Sequence, residues 1–240
     1  MISKFISVTI LFYYLEKVSA PPTPNKIKTT LLDTYKREGI TEVLFLFLLR
    51  KTGRLQLLMI YGFYFYLMYQ QEYSGNPKYT SNDLPRLSEW DSAYVLVIMS
   101  EFIGITLRLW CYKTLEEFFT FDIKIKKNHK LITHGPYRCL IHPSYAALSF
   151  LWPHTVYFAS QFTAFIKLYK SSLSPITYSI LSYFISICHP SSIEFKILTV
   201  LTIVLVLNRI RLEEAMLKDR FGKEWDEYVK TRWRLIPYLI

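Results

Sequence analysis

Glycine and cysteine are scarce in this chain: 7 glycines and three cysteines in 240 residues. Cys111, Cys139 and Cys188 form no CxxC and no short-range pair. A disulfide scaffold and a zinc site are therefore set aside, and no metal is expected. No G-x-G-x-x-G stretch occurs, so a Rossmann-type nucleotide fold is excluded. Missing too is a soluble module with a basic face interleaved with aromatics. The net charge of +10 is thus no sign of nucleic-acid binding.

What is abundant is apolar: 51% of residues are hydrophobic and 17% aromatic, gathered in long runs. The basic residues flank those runs, as at 50–54 and 124–130. That is the charge pattern of membrane topology, and it predicts an integral membrane protein of helical class in contact with the bilayer.

Residues 1–20 combine a lysine, a short apolar core and Val18-Ser19-Ala20, which suits either a cleaved signal or a first membrane helix. Pro21-Pro22 directly after the small residues favours a retained helix ending in a rigid linker. A helical stretch over 27–50, apolar only at 40–49, reads as interfacial or tilted. Spans are expected at 55–69 and 93–110, the second with Glu101 inside it, joined by a lumenal loop at 70–92. Residues 111–141 and 208–240 are basic and should share the cytosolic side, with an even number of crossings between them. The apolar stretch 142–168 is expected to break at Pro153, and 176–187 with 193–207 to form a helical hairpin. Two regions result, 1–110 of membrane helices and 111–240 carrying the site.

Between apolar blocks lies Asn128 to Tyr145, NHKLITHGPYRCLIHPSY. Gly135-Pro136 marks a turn, and His142-Pro143 a boundary, because the residue before proline avoids the α region. As a plain solvated loop the stretch would need no function. A second segment, Arg209-Ile210-Arg211-Leu212-Glu213-Glu214, begins as the last apolar run ends. Arg209 and Glu213 lie four residues apart on one helical face, where an ordinary surface ion pair would contribute only about 0.3–0.5 kcal/mol. Beyond it a helix, a turn and a tail anchored by aromatics at the bilayer surface are expected.

In order, His129-Lys130-Leu131, Gly135-Pro136-Tyr137, His142-Pro143-Ser144-Tyr145, Arg209 to Glu214, Phe221-Gly222 and Ile236-Pro237 resemble the motifs of the isoprenylcysteine carboxyl methyltransferase family. The likeness covers 111–149 and 205–240. Two positions depart from the family pattern: its arginine before the histidine is here Ile141, and its glycine two places after the tyrosine is Ala147.

The resemblance implies a multi-pass endoplasmic-reticulum enzyme, an all-α bundle whose cytosolic cofactor pocket is formed by an inter-helix loop and the C-terminal helix and tail. It implies S-adenosylmethionine as cofactor, held by His129, Lys130, Leu131, Ile132, Tyr137, His142, Pro143, Ser144, Tyr145 and Glu213. Arg209 is implied as the residue that binds the carboxylate of a farnesyl- or geranylgeranyl-cysteine at the end of a prenylated protein. An α-carboxyl titrates near ~3.5, so the nucleophile is already ionised and no general base is expected. Two other readings stand beside this one, a phospholipid amine N-methyltransferase and a sterol-reductase-like NADPH oxidoreductase.

Overall fold

The computed structural model describes residues 2–19, 53–81, 84–119, 129–187 and 189–238. The helix expected over 27–50 lies outside them, as does most of the 124–130 basic run. Among the described residues the regular structure is helical: α1 (Ile2–Val18), α2 (Gly53–Tyr73), α3 (Ser92–Leu115), α4 (Pro143–Ile166), α5 (Pro175–Ile187), α6 (Ile193–Phe221) and α7 (Lys223–Lys230). An isolated parallel bridge joins Leu140 to Trp233.

The bundle is built on α3. Its start is set by Asp91, whose carboxylate accepts from the Tyr94 amide at 2.8 Å, satisfying one of the orphan donors of a helix N-terminus. With the turn that follows it, Ser92–Phe118 is long and apolar enough to cross a membrane by length and composition. Against it packs α4, in close approach at Gly104. A Cβ placed on Gly104 would meet Leu151 Cδ2 at 2.8 Å and the Ala147 carbonyl at 2.9 Å. Small residues let two helices approach in this way. The absence of a side chain at 104 also leaves room for Ala147, which is fully buried.

Contrary to expectation, α4 runs without a break through Pro153. A proline withdraws one helical donor and loosens the carbonyls before it. Ser100 of α3 donates to the Phe150 carbonyl at 2.7 Å, and His154 Nδ1 is bonded to the Leu151 carbonyl.

Helix α1 packs on α3 and α2 through Val8, Leu11, Leu15 and Val18. Both of its ends are pinned. At one, the fully buried ammonium of Lys4 donates to the Glu89 carbonyl, and to the Tyr157 hydroxyl at 3.3 Å, with Asp91 3.8 Å away. At the other, the Val18 carbonyl accepts from Arg108 Nε at 2.8 Å and from the Tyr112 hydroxyl. Glu101 is fully buried at the α3–α4 contact, 3.5 Å from His154 Nδ1. Helix α6 is different: it buries Leu205, Arg209 and Ile210 and leaves Ile193, Ile197, Val200, Ile203 and Val204 exposed.

Residues 74–91 join α2 to α3 at the end where α3 begins. Residues 129–142 and 209–234 gather at the end where α3 finishes. The polar stretch and the RIRLEE segment thus meet at one end of the bundle.

Candidate functional site

After α3, the Phe118 ring packs at a tilt on His129 with ring centroids 4.8 Å apart, and Phe221 of α6 lies 6.1 Å from the same imidazole. The chain then runs extended to Gly135, which adopts φ +61° and starts the tight turn Gly135–Arg138. A Cβ there would stand 2.8 Å from Thr114 Oγ1, so both the backbone angle and the closeness of α3 call for glycine. This turn buries Pro136 and Tyr137. The Tyr228 hydroxyl of α7 donates to the Tyr137 carbonyl at 2.9 Å, and burial pushes that phenol up to about 12.

The tail returns to the polar stretch. Trp233 N donates to the Cys139 carbonyl at 3.2 Å, Ile141 N to the Trp233 carbonyl at 2.8 Å, and His142 N to the Arg234 carbonyl at 2.9 Å. Beneath this clasp, Ile141, Trp225 and Tyr228 form a small apolar core with Leu131, Leu217 and Phe221 around it. Trp225 and Tyr228 are among the aromatics of the C-terminal segment for which the sequence predicts anchoring at the bilayer surface. They are buried inside the protein instead, because α7 folds back at Gly222 and needs an apolar face to hold the tail.

The first turn of α4 faces α6. Tyr145 donates to Glu213 Oε2 at 2.8 Å and accepts from Arg209 Nε at 2.8 Å. Arg209 is only 4% exposed, a depth at which a guanidinium calls for partners. One turn away, His142 Nε2 donates to Glu214 Oε1 at 3.1 Å, and Arg234 Nε donates to the same oxygen at 3.1 Å. The hydrogen bond from His142, with Arg234 adding, holds the Glu214 carboxyl below its ordinary range.

Of the residues singled out in the sequence, the structure links Tyr145, Arg209 and Glu213 into one hydrogen-bonded seam, with His142 bonded to Glu214 one turn away. It places Leu131 and Tyr137 against the tail, His129 between two phenylalanines, and Pro143 in the interior. Ile132 is half-buried beside the turn, and Lys130 is exposed. Three members were missed. Glu214 and Arg234 join His142, and Arg108 of α3 donates to Ser144 Oγ at 2.9 Å and to its carbonyl at 3.2 Å. Glu214 had a signal in the motif segment that ends on it, and Arg108 had one as an arginine inside an apolar run.

For a sulfonium cofactor the donor set is apt. Two adjacent carboxylates face the polar stretch, and the His129 imidazole lies between two tilted phenyl rings. Hydroxyl and backbone groups lie between them.

The sequence model of the isoprenylcysteine carboxyl methyltransferase family matches residues 95–173, from α3 through α4 and the polar stretch between. Two rice proteins, from Oryza sativa subsp. indica and subsp. japonica, each named probable protein-S-isoprenylcysteine O-methyltransferase, are 29% identical to the chain over 162 residues. The match covers 65% of this chain and 66% of each relative, just under two thirds of their length. No solved structure matches. Ordered motifs, matched segment and relatives therefore converge, and the chain's resemblance to the isoprenylcysteine carboxyl methyltransferase family rests on all three.

Proposed function

We propose that the protein is a multi-pass membrane enzyme of the endoplasmic reticulum that methylates the C-terminal carboxylate of prenylated cysteine with S-adenosylmethionine. The observation that carries this reading is the seam Arg209–Tyr145–Glu213. It sets a buried guanidinium and a carboxylate side by side through one hydroxyl, at the end of the bundle where the two motif segments meet. A guanidinium suits two-pronged capture of a carboxylate, and a carboxylate suits a cationic cofactor.

The apolar outer face of α6 leads up to Arg209 and would lie against lipid, where a prenyl chain resides. Bound S-adenosylmethionine would supply an electrophilic methyl group. Arg209 orients the substrate carboxylate, and Glu213 faces the cofactor's positive charge. Tyr145 fixes the two relative to one another. The His129–Ile132 segment, Tyr137 and the His142–Tyr145 turn wall the cofactor from water. With no proton to remove, the protein's contribution is alignment and exclusion of water.

The test is methyl transfer from labelled S-adenosylmethionine to a farnesylcysteine analogue in membranes holding the full chain. Transfer to that carboxylate supports the proposal. Transfer only to phosphatidylethanolamine, or NADPH-dependent sterol reduction without transfer, would replace it with the corresponding alternative.

A further inference from the structure

The tail makes a second, closed ring with the histidine of the site. Arg234 accepts the His142 amide with its carbonyl at 2.9 Å and donates from Nε to Glu214 Oε1 at 3.1 Å. The same carboxylate oxygen accepts from His142 Nε2 at 3.1 Å. One oxygen thus holds two donors from segments 92 positions apart, and the backbone clasp fixes Arg234 beside the histidine.

We propose that Arg234 is a positioning residue of the cofactor pocket: through Glu214 it fixes the His142 imidazole and fastens the tail against the His142–Tyr145 turn. This rests on the cofactor reading above and adds to it a residue that the motifs do not include.

Three observations carry the proposal. A carboxylate that accepts from Nε2–H fixes the ring in place, the usual way in which a carboxylate orients a functional imidazole. Arg234 helps to keep that carboxylate charged and holds it in place through Nε. The resembled family also carries an arginine immediately before this histidine. Ile141 here is buried against Trp225 and Tyr228 and offers no charge. The guanidinium beside the histidine comes from the tail instead.

A purely superficial role predicts something else. The Arg234 side chain is 57% exposed and that of Glu214 18%, and exposed ion pairs of this kind contribute little to stability. Arg234→Met should therefore leave the fold intact, which makes affinity for the cofactor the informative quantity.

The experiment uses the purified full chain in lipid nanodiscs, with S-adenosylmethionine binding by calorimetry and turnover of a farnesylcysteine analogue. Arg234→Met should raise Kd and KM for S-adenosylmethionine by about five- to tenfold and hold kcat at saturating cofactor within about twofold. Arg234→Lys should recover most of the affinity. Glu214→Gln should reproduce the loss, and the double variant should be no worse than the poorer single one, because both act through one oxygen. Unchanged affinity in Arg234→Met, additive losses, or a loss that follows a lowered melting temperature and is not recovered by lysine would overturn the proposal. Wild-type protein that binds S-adenosylmethionine but methylates some other acceptor would refute the proposed substrate and leave Arg234's role standing. Wild-type protein that binds no S-adenosylmethionine would overturn both.

Discussion

The Tyr145 hydroxyl donates to Glu213 Oε2 at 2.8 Å across the contact between α4 and α6. Because it also accepts from Arg209 Nε at 2.8 Å, it is the joint through which the two motif segments act together. Tyr145→Phe keeps the ring and removes the joint. Hydrogen bonds to charged groups contribute about 1.5–3 kcal/mol, so kcat/KM for the prenylcysteine analogue should fall roughly ten- to hundredfold. Steady-state kinetics on the purified variant checks this, and a change under about threefold would remove the hydroxyl from the mechanism.

Arg209 separates from Glu213 by what its replacement spares. Arg209→Lys keeps the charge and loses the planar fork. Turnover of the analogue should drop at least about tenfold, roughly 1.4 kcal/mol of lost transition-state stabilisation, with cofactor affinity nearly intact. Glu213→Gln should do the converse and weaken cofactor binding by about 1–3 kcal/mol. Parallel losses of turnover and cofactor affinity in Arg209→Lys would show that it only orients Glu213.

Gly104 tests the packing that brings α4 to the site. A methyl group there would press on the Ala147 carbonyl, which is backbone and cannot swing away, and on Leu151 Cδ2. Gly104→Ala should lower stability by about 1–3 kcal/mol through overpacking. A thermal melt in detergent measures it. Reducing the opposing side chain in Gly104→Ala/Ala147→Gly will not rescue it, since the carbonyl remains.

Much of the site was legible because its chemistry sits in short ordered motifs: His142, Tyr145, Arg209 and Glu213 were named from sequence and meet in space. The apolar runs at 55–69 and 93–110 also fall within helices, the second in the one helix among the described residues long and apolar enough to cross a membrane, since apolar runs bounded by polar residues register one element at a time. What escaped depends on contacts between distant segments. No local pattern tells that α4 will pass Pro153 unbroken, or that Arg234 will lie beside Glu214. The inward turn of Trp225 and Tyr228 was hidden for a related reason. An aromatic helix face reads the same whether it meets lipid or a folded loop, and only the return of the tail decides between them.

Glu214 gives the site an acid limit. Its carboxyl is held low by the bond from His142 and by Arg234. A depressed carboxyl contributes stability that is complete above its ordinary pKa and lost as pH falls through the folded one. The advantage of wild type over Glu214→Gln in melting temperature should therefore hold at neutral pH and vanish only below about pH 4.5. Melts of both proteins between about pH 3.5 and 7 decide it. A gap that closes already near about pH 6 would contradict the lowered carboxyl.

Topology is the last prediction, and the cysteines make it accessible. Cys139 is exposed at the site end of the bundle, whereas Cys111 is buried. Thr80 is exposed in the connection at the opposite end, between α2 and α3. If α3 crosses the bilayer, those two positions lie on opposite sides, with the lysine- and arginine-rich end facing the cytosol. In sealed microsomes carrying a Cys188→Ser background, a membrane-impermeant maleimide should label Cys139 directly. A Thr80→Cys residue, introduced with Cys139 changed to serine, should label only after the vesicles are opened with detergent. Labelling of both from outside would mean that α3 does not span, and the substrate could not then approach Arg209 along α6 from within the bilayer. Labelling of Thr80→Cys alone from outside would invert the protein, placing the pocket in the lumen and away from cytosolic S-adenosylmethionine.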